Sequence, residues 1–168
     1  MAIREYLAAL KKDKKVLEYS LFFPGQFLNY LGSPNKTARH LSQLTTWLDF
    51  PNTRAILVEG VDERLSFTTV QDLAAVVARA AEYAGEWPVV GGVNGNTLTS
   101  EQMVALGEKY PAVPKNQAEL FSRKFVISAL QGSLTNAWEV SDEWNQLIPG
   151  FEFTSVEKLL TEVWAGKD

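Results

Sequence analysis

Three times in 168 residues a threonine stands three positions ahead of an acidic or amide residue and opens an apolar-periodic run: Thr69-x-x-Asp72, Thr99-x-x-Gln102 and Thr154-x-x-Glu157. A threonine hydroxyl there accepts from backbone N–H groups that the first helical turn leaves unpaired. The residue three further on suits the positive end of the helix or bonds back to the cap. Runs rich in strand formers precede the first two caps, at Leu65 to Thr68 and Trp87 to Val93. A chain that alternates strands with capped helices is expected to be α/β, with a small sheet and packed helices.

The remaining elements fill in around these. Ile3, Tyr6, Leu7 and Leu10 share a helical face, so Ala2 to Lys12 reads as an amphipathic helix. Lys11, Lys12, Lys14 and Lys15 suit its C-terminal end and the turn after it, rather than a nucleic-acid patch. Val16 to Phe23, VLEYSLFF, is expected to be a strand that stops at the turn Pro24-Gly25. Gln26 to Leu31 reads as a short helical turn, Gly32 to Asn35 as a loop, and Thr37 to Phe50 is ambiguous. Ala55 to Val58 is a further strand, separated from Leu65 by the polar break Glu59 to Arg64. Leu73, Val76, Val77 and Ala80 form the expected buried stripe of the helix capped by Thr69. Helices are also expected from Thr99 to about Lys109, over Asn116 to Gln131, and after Thr154, where Leu159, Leu160, Val163 and Trp164 supply the anchors. With no repeat or linker in view, residues 1–168 read as one domain.

Composition removes several chemistries. There is no cysteine, hence no disulfide, thiolate ligand or thiol nucleophile. The single histidine, His40, lies among polar residues and reads as exposed; alone it makes no His-pair metal site. The net charge of -4 argues against a nucleic-acid backbone as partner. No run approaches the roughly 20 apolar residues of a membrane helix, and the charged N-terminus has no secretory h-region. A cytoplasmic chain, with neither nucleic-acid nor membrane partner, is the expectation.

Candidate sites are few. Gly91-Gly92-Val93-Asn94-Gly95-Asn96 follows a strand, but its glycine spacing does not match a phosphate cradle and no P-loop lysine follows; it reads as a tight turn before a helix. Asp62-Glu63 is a loop pair, and Asp142-Glu143 marks a helix start where carboxylates offset the dipole. Tyr30, Trp47 and Trp87 either line a pocket for an aromatic ligand or pack the core. None of this names a reaction.

A wider pattern adds to these local readings. Glu18-Tyr19-Ser20-Leu21-Phe22-Phe23-Pro24-Gly25-Gln26-Phe27-Leu28-Asn29-Tyr30 is followed by Trp47-Leu48-Asp49-Phe50, Arg54-Ala55-Ile56-Leu57 and Ser66-Phe67-Thr68-Thr69-Val70-Gln71-Asp72-Leu73-Ala74. Then come Trp87-Pro88, Gly95-Asn96, Leu98-Thr99, Trp144 to Pro149 and Phe153 to Lys167. Together these stretches resemble the C-terminal, substrate-side part of NmrA-like proteins, the isoflavone reductase-like branch of the atypical short-chain dehydrogenases.

The resemblance implies an α/β fold equivalent to the C-terminal part of an NmrA-like Rossmann protein, without the cofactor half. It places Phe23, Pro24, Gly25, Gln26, Phe27 and Tyr30 beside a small organic substrate, although a core-packing strand end is an equal reading of those residues. No glycine-rich loop for a dinucleotide is seen, so no cofactor is expected on this chain alone, with NADP expected only for a full-length relative. Any chemistry is then expected to be non-redox, an isomerisation, cyclisation or dehydration, with Tyr19, Tyr30 and Asp49 as candidate acid/base groups. The setting implied is fungal secondary metabolism. The competing expectations are a non-catalytic interaction module and a fragment of an NAD(P)-dependent reductase. A strand that lacks its neighbours leaves an open edge, so a homodimer or a dedicated protein partner is expected as well.

Overall fold

A computed structural model describes residues 2–14, 18–44, 48–49, 54–55, 64–109, 132 and 134–166. The architecture is mixed α/β, with small sheets and several helices. Helix α1 spans Ala2–Lys14. Strands β1 (Leu21–Phe23) and β2 (Gln26–Phe27) follow, and a five-residue 3₁₀ helix, Leu28–Gly32. The short strands β3 (Leu48–Asp49) and β4 (Arg54–Ala55) pair antiparallel. Next come β5 (Arg64–Thr68), α2 (Val70–Glu82), β6 (Val90–Gly92), β7 (Asn96–Thr99) and α3 (Ser100–Lys109). Helices α4 (Glu143–Leu147) and α5 (Val156–Trp164) complete the described elements.

Two of the sheets share their strands' paths. β1 pairs parallel with β6, Leu21 opposite Val90 and Phe23 opposite Gly92. Beyond those residues the two chains part and flank β5 in the order β2-β5-β7. β2 runs parallel to β5 and β7 antiparallel to it. Thr68 ties the junction: its hydroxyl donates to the Val93 carbonyl at 2.7 Å and accepts from the Gly95 amide at 3.1 Å.

Alternation along β5 divides the interior. Leu65 and Phe67 join Leu28, Leu31, Met103, Leu159, Leu160 and Trp164 in one apolar cluster. Ser66 and Thr68 point the other way and are buried but bonded, Ser66 Oγ accepting from the Val140 amide at 3.1 Å. A second cluster gathers Val76, Ala80, Val93, Trp144 and Ile148. Phe22 stacks on Trp144 there, ring centroids 5.3 Å apart, and Trp87 meets both rings edge-on.

Two of the three threonine caps form as read. Thr69 Oγ1 accepts from the Asp72 amide at 2.9 Å. Thr99 and Gln102 form the reciprocal box, with bonds of 3.3 and 2.9 Å. At the third site the cap is Ser155, not Thr154: Ser155 Oγ accepts from the Lys158 amide at 3.1 Å. Thr154 is instead held by the buried carboxylate of Asp72, which accepts from its amide at 2.9 Å and its hydroxyl at 3.2 Å.

Other expectations are corrected. Val77 is exposed, and the inner face of α2 carries Asp72 in addition to Val76 and Ala80. Of the strand expected over Val16 to Phe23, Leu21–Phe23 pairs and Glu18 to Ser20 are coil, while Val16 and Leu17 lie outside the described residues. Gln26 and Phe27 form a strand before the helical turn begins. Of the strand expected over Trp87 to Val93, Val90–Gly92 pair with β1, and Gly91 and Gly92 pack so closely that a Cβ would strike the Trp144 indole at the first and the Ser141 carbonyl at the second. Strand β7, polar and unforeseen, occupies the place given to the turn before α3. The apolar stripe of α1 is only partly covered: Ile3 is 76% and Tyr6 64% exposed. His40 is exposed, as expected. The helix expected over Asn116 to Gln131, the Asp62-Glu63 pair, and most of Ala55 to Val58 lie outside the described residues.

Candidate functional site

The segment Phe23 to Tyr30 begins where the parallel pair β1/β6 ends, at the carboxyl ends of its strands. Pro24 supplies no N–H to prolong β1, and Gly25 takes φ of +65°, a left-handed conformation that an L side chain resists. A Cβ on Gly25 would also overlap the Ser66 carbonyl, so only glycine lets the chain cross this closely to β5. Gln26 and Phe27 then take their places opposite Phe67 and Thr68.

A polar knot holds the far end of this segment. Asn29, fully buried, accepts from the Val70 amide at the start of α2 through Oδ1 at 2.8 Å. Its Nδ2 donates to Thr37 Oγ1 at 3.2 Å and Gln71 Oε1 at 3.1 Å. Gln71 in turn donates to the Thr37 carbonyl at 2.8 Å. The first residues of α2 and the loop at Thr37 thereby position Leu28 to Gly32.

Phe23, Pro24, Gly25, Gln26, Phe27 and Tyr30 are all half-buried. The Phe27 and Tyr30 rings lie 5.9 Å apart at 58°, and the Arg4 guanidinium sits 5.7 Å from the Phe23 ring centroid. Gln26 Nε2 is buried and has no hydrogen-bond partner among the described residues. A buried amide donor left unpaired costs about 1–3 kcal/mol, which makes this atom the chemical anomaly of the segment.

The other sequence candidates are dispersed. Tyr19 is half-buried in the coil before β1, and no described contact joins it to Tyr30. Asp49 lies in β3, opposite Arg54 in register, while its side chain and all of Trp47 lie outside the described residues. Trp87 packs with Phe22 and Trp144 and does not join Tyr30.

Trp87 instead lines a separate open cleft of about 370 Å³, with Lys11, Glu86, Pro88, Val89, Glu143, Gln146 and Leu147. Glu143 Oε2 accepts from the Gly92 amide at 2.7 Å and the Ser141 hydroxyl at 2.6 Å. Partial burial raises the pKa of this carboxyl, but the bonds from Ser141 and Gly92 outweigh it and hold the group below the ordinary glutamate value. The sequence reading assigned Glu143 only to a helix start. Gly92 is 51 positions away along the chain, and no local pattern announces that bond.

Set against protein-family models, curated proteins and solved structures, the chain matches none. Among the described residues there is no group of three His, Cys, Asp or Glu placed to hold a metal ion, and no helix long and apolar enough to cross a membrane.

Proposed function

We propose that this chain binds a small organic molecule along Phe23 to Tyr30, in the manner that its resemblance to the substrate side of NmrA-like proteins implies. The observation that carries the reading is Gln26 Nε2, a buried donor without a partner. A ligand oxygen that accepts from this amide, once the side chain turns toward it, removes the penalty of an unpaired donor. Phe23, Phe27 and Tyr30 offer aromatic surface for the ligand's body. Chemistry on that ligand is non-redox and relies on positioning with a few polar groups, the Tyr30 phenol first among them and Tyr19 and Asp49 after it. Fungal secondary metabolism is the setting the resemblance suggests.

The test is a fluorescence titration with anilinonaphthalene sulfonate, an aromatic anion whose sulfonate oxygens accept hydrogen bonds, beside a parallel titration with NADPH. Saturable binding of the first that weakens in Gln26→Leu and Tyr30→Phe supports the reading. Saturable binding of NADPH overturns its cofactor-free part.

A second reading, a protein-interaction module, is favoured by the uncovered apolar side chains Ile3 and Tyr6 of α1 and by Val90, half-exposed on β6. Among the described residues no strand pairs with the other edge of β1. The bonds Leu21 N to Val89 O and Val93 N to Phe23 O turn the alternate residue, Phe22, so that its backbone groups point away from β6. A homodimer through this edge, or a dedicated partner protein, is the proposal. Light scattering at micromolar concentration that finds only monomer, with no partner recovered in stoichiometric amount, removes it.

A further inference from the structure

The cleft beside Trp87 is lined by Glu86 to Val89, which lead into β6, and by residues of α1 and α4, and it shares no lining residue with the segment Phe23 to Tyr30. It is therefore a different place from the segment discussed above. Its size falls within the range of about 300–1,000 Å³ typical of small-ligand sites.

Its charges are of both signs, and they come from different elements. Lys11 of α1 forms no ion pair among the described residues, so its ammonium is uncommitted. Glu143 of α4 commits Oε2 to Gly92 and Ser141, and its own backbone amide also bonds the carboxyl, which holds the carboxylate in place at the cleft. Glu86 adds a second, exposed carboxylate. Trp87 and Leu147 supply the apolar surface, and the Trp87 ring is held edge-on against Phe22 and Trp144. A simple organic cation would meet Lys11 as a like charge, and a simple anion would meet two carboxylates. A molecule carrying both charges satisfies both sides, with an ammonium for Glu143 and the Trp87 ring and a carboxylate for Lys11.

We infer that the Trp87 cleft is a binding site for a small zwitterion with an apolar or aromatic body, of the free α-amino-acid class.

Calorimetric titration with L-phenylalanine tests this, beside phenethylamine, which lacks the carboxylate, and N-acetyl-L-phenylalanine, which lacks the ammonium. Phenylalanine is expected to bind saturably and each analogue about two- to fivefold more weakly, the scale of a partly exposed charge pair. Lys11 is half-buried on a surface helix, and Lys11→Met is expected to bring phenylalanine down to the affinity of phenethylamine without weakening phenethylamine itself. The absence of saturable heat with phenylalanine overturns the inference. So do equal affinities for the three compounds, or a phenylalanine-to-phenethylamine ratio that Lys11→Met leaves unchanged. Gln26→Leu, in β2 and outside the lining of this cleft, is expected to leave this binding intact, which separates the outcome from that of the Phe23 to Tyr30 reading.

Discussion

Replacing Gln26 by leucine separates a structural role from a binding role, because the two predict opposite signs. In the free protein the buried Nε2 has no acceptor among the described residues, so the native state carries the desolvation of that donor without return. An unsatisfied buried donor costs about 1–3 kcal/mol; since the side chain as a whole is only half-buried, the lower part of that range, about 1–2 kcal/mol, applies. Leucine has similar volume and leaves the backbone pairing with Phe67 intact. Gln26→Leu is therefore expected to stabilise the chain, raising Tm by about 2–8 °C for a protein of this size. Gln26→Glu places a charge where no donor is available to it and is expected to lower Tm. If the amide serves a ligand, the stabilised leucine variant also loses affinity for anilinonaphthalene sulfonate by about tenfold, the worth of one hydrogen bond. Thermal denaturation by circular dichroism and the fluorescence titration give both numbers from one preparation. A fall in Tm of several degrees in Gln26→Leu refutes the premise, since it means that the amide is already bonded within the protein. A rise in Tm with unchanged dye affinity refutes the binding role alone.

Four further outcomes follow from the same geometry. Asp72→Ala strands the Thr154 amide and hydroxyl and is expected to cost about 2–4 kcal/mol in urea denaturation. Gly92→Ala drives a Cβ into the Ser141 carbonyl and should cost about 1–3 kcal/mol, visible as an earlier thermal transition. Because the folded-state pKa of Glu143 is depressed, its contribution is present above the ordinary value of 4.5 and lost as pH falls through the folded pKa. Urea midpoints measured against pH should accordingly drop less on the acid side in Glu143→Gln than in the parent chain. Ile3→Glu and Tyr6→Glu, both on exposed positions of α1, are expected to leave the fold unchanged and to abolish any self-association seen by light scattering.

Which features could be read in advance follows from the range of the interactions that make them. The caps at Thr69 and Thr99 involve residues three apart, and both form as the pattern implies. At Thr154 and Ser155 two adjacent hydroxyls were available, and a carboxylate 82 residues away decided between them by engaging Thr154. β7 reads Asn-Thr-Leu-Thr, a weak strand former, and exists because β5 offers four antiparallel partners from Arg64 to Phe67. Periodicity marked Val76, Val77 and Ala80 together, yet a helix buries one stripe, and packing of Val76 and Ala80 around Trp144 leaves Val77 outside. The candidate segment was legible as a turn with aromatic flanks. Its unpaired amide was not, since a missing partner is a property of the whole surroundings.

The amino-acid sequence by itself determined the helix starts at Thr69 and Thr99, the break at Pro24-Gly25 and the exclusion of thiol chemistry. Each depends on residue identity or on contacts within one turn of chain. Only the tertiary structure decided that Gly91 and Gly92 are pressed against Trp144 and Ser141, that Glu143 anchors to Gly92, and that Lys11, Trp87 and Glu143 border one cleft. Those outcomes depend on which distant residues meet, and backbone bonding and close packing settle that across 50 residues or more of intervening chain.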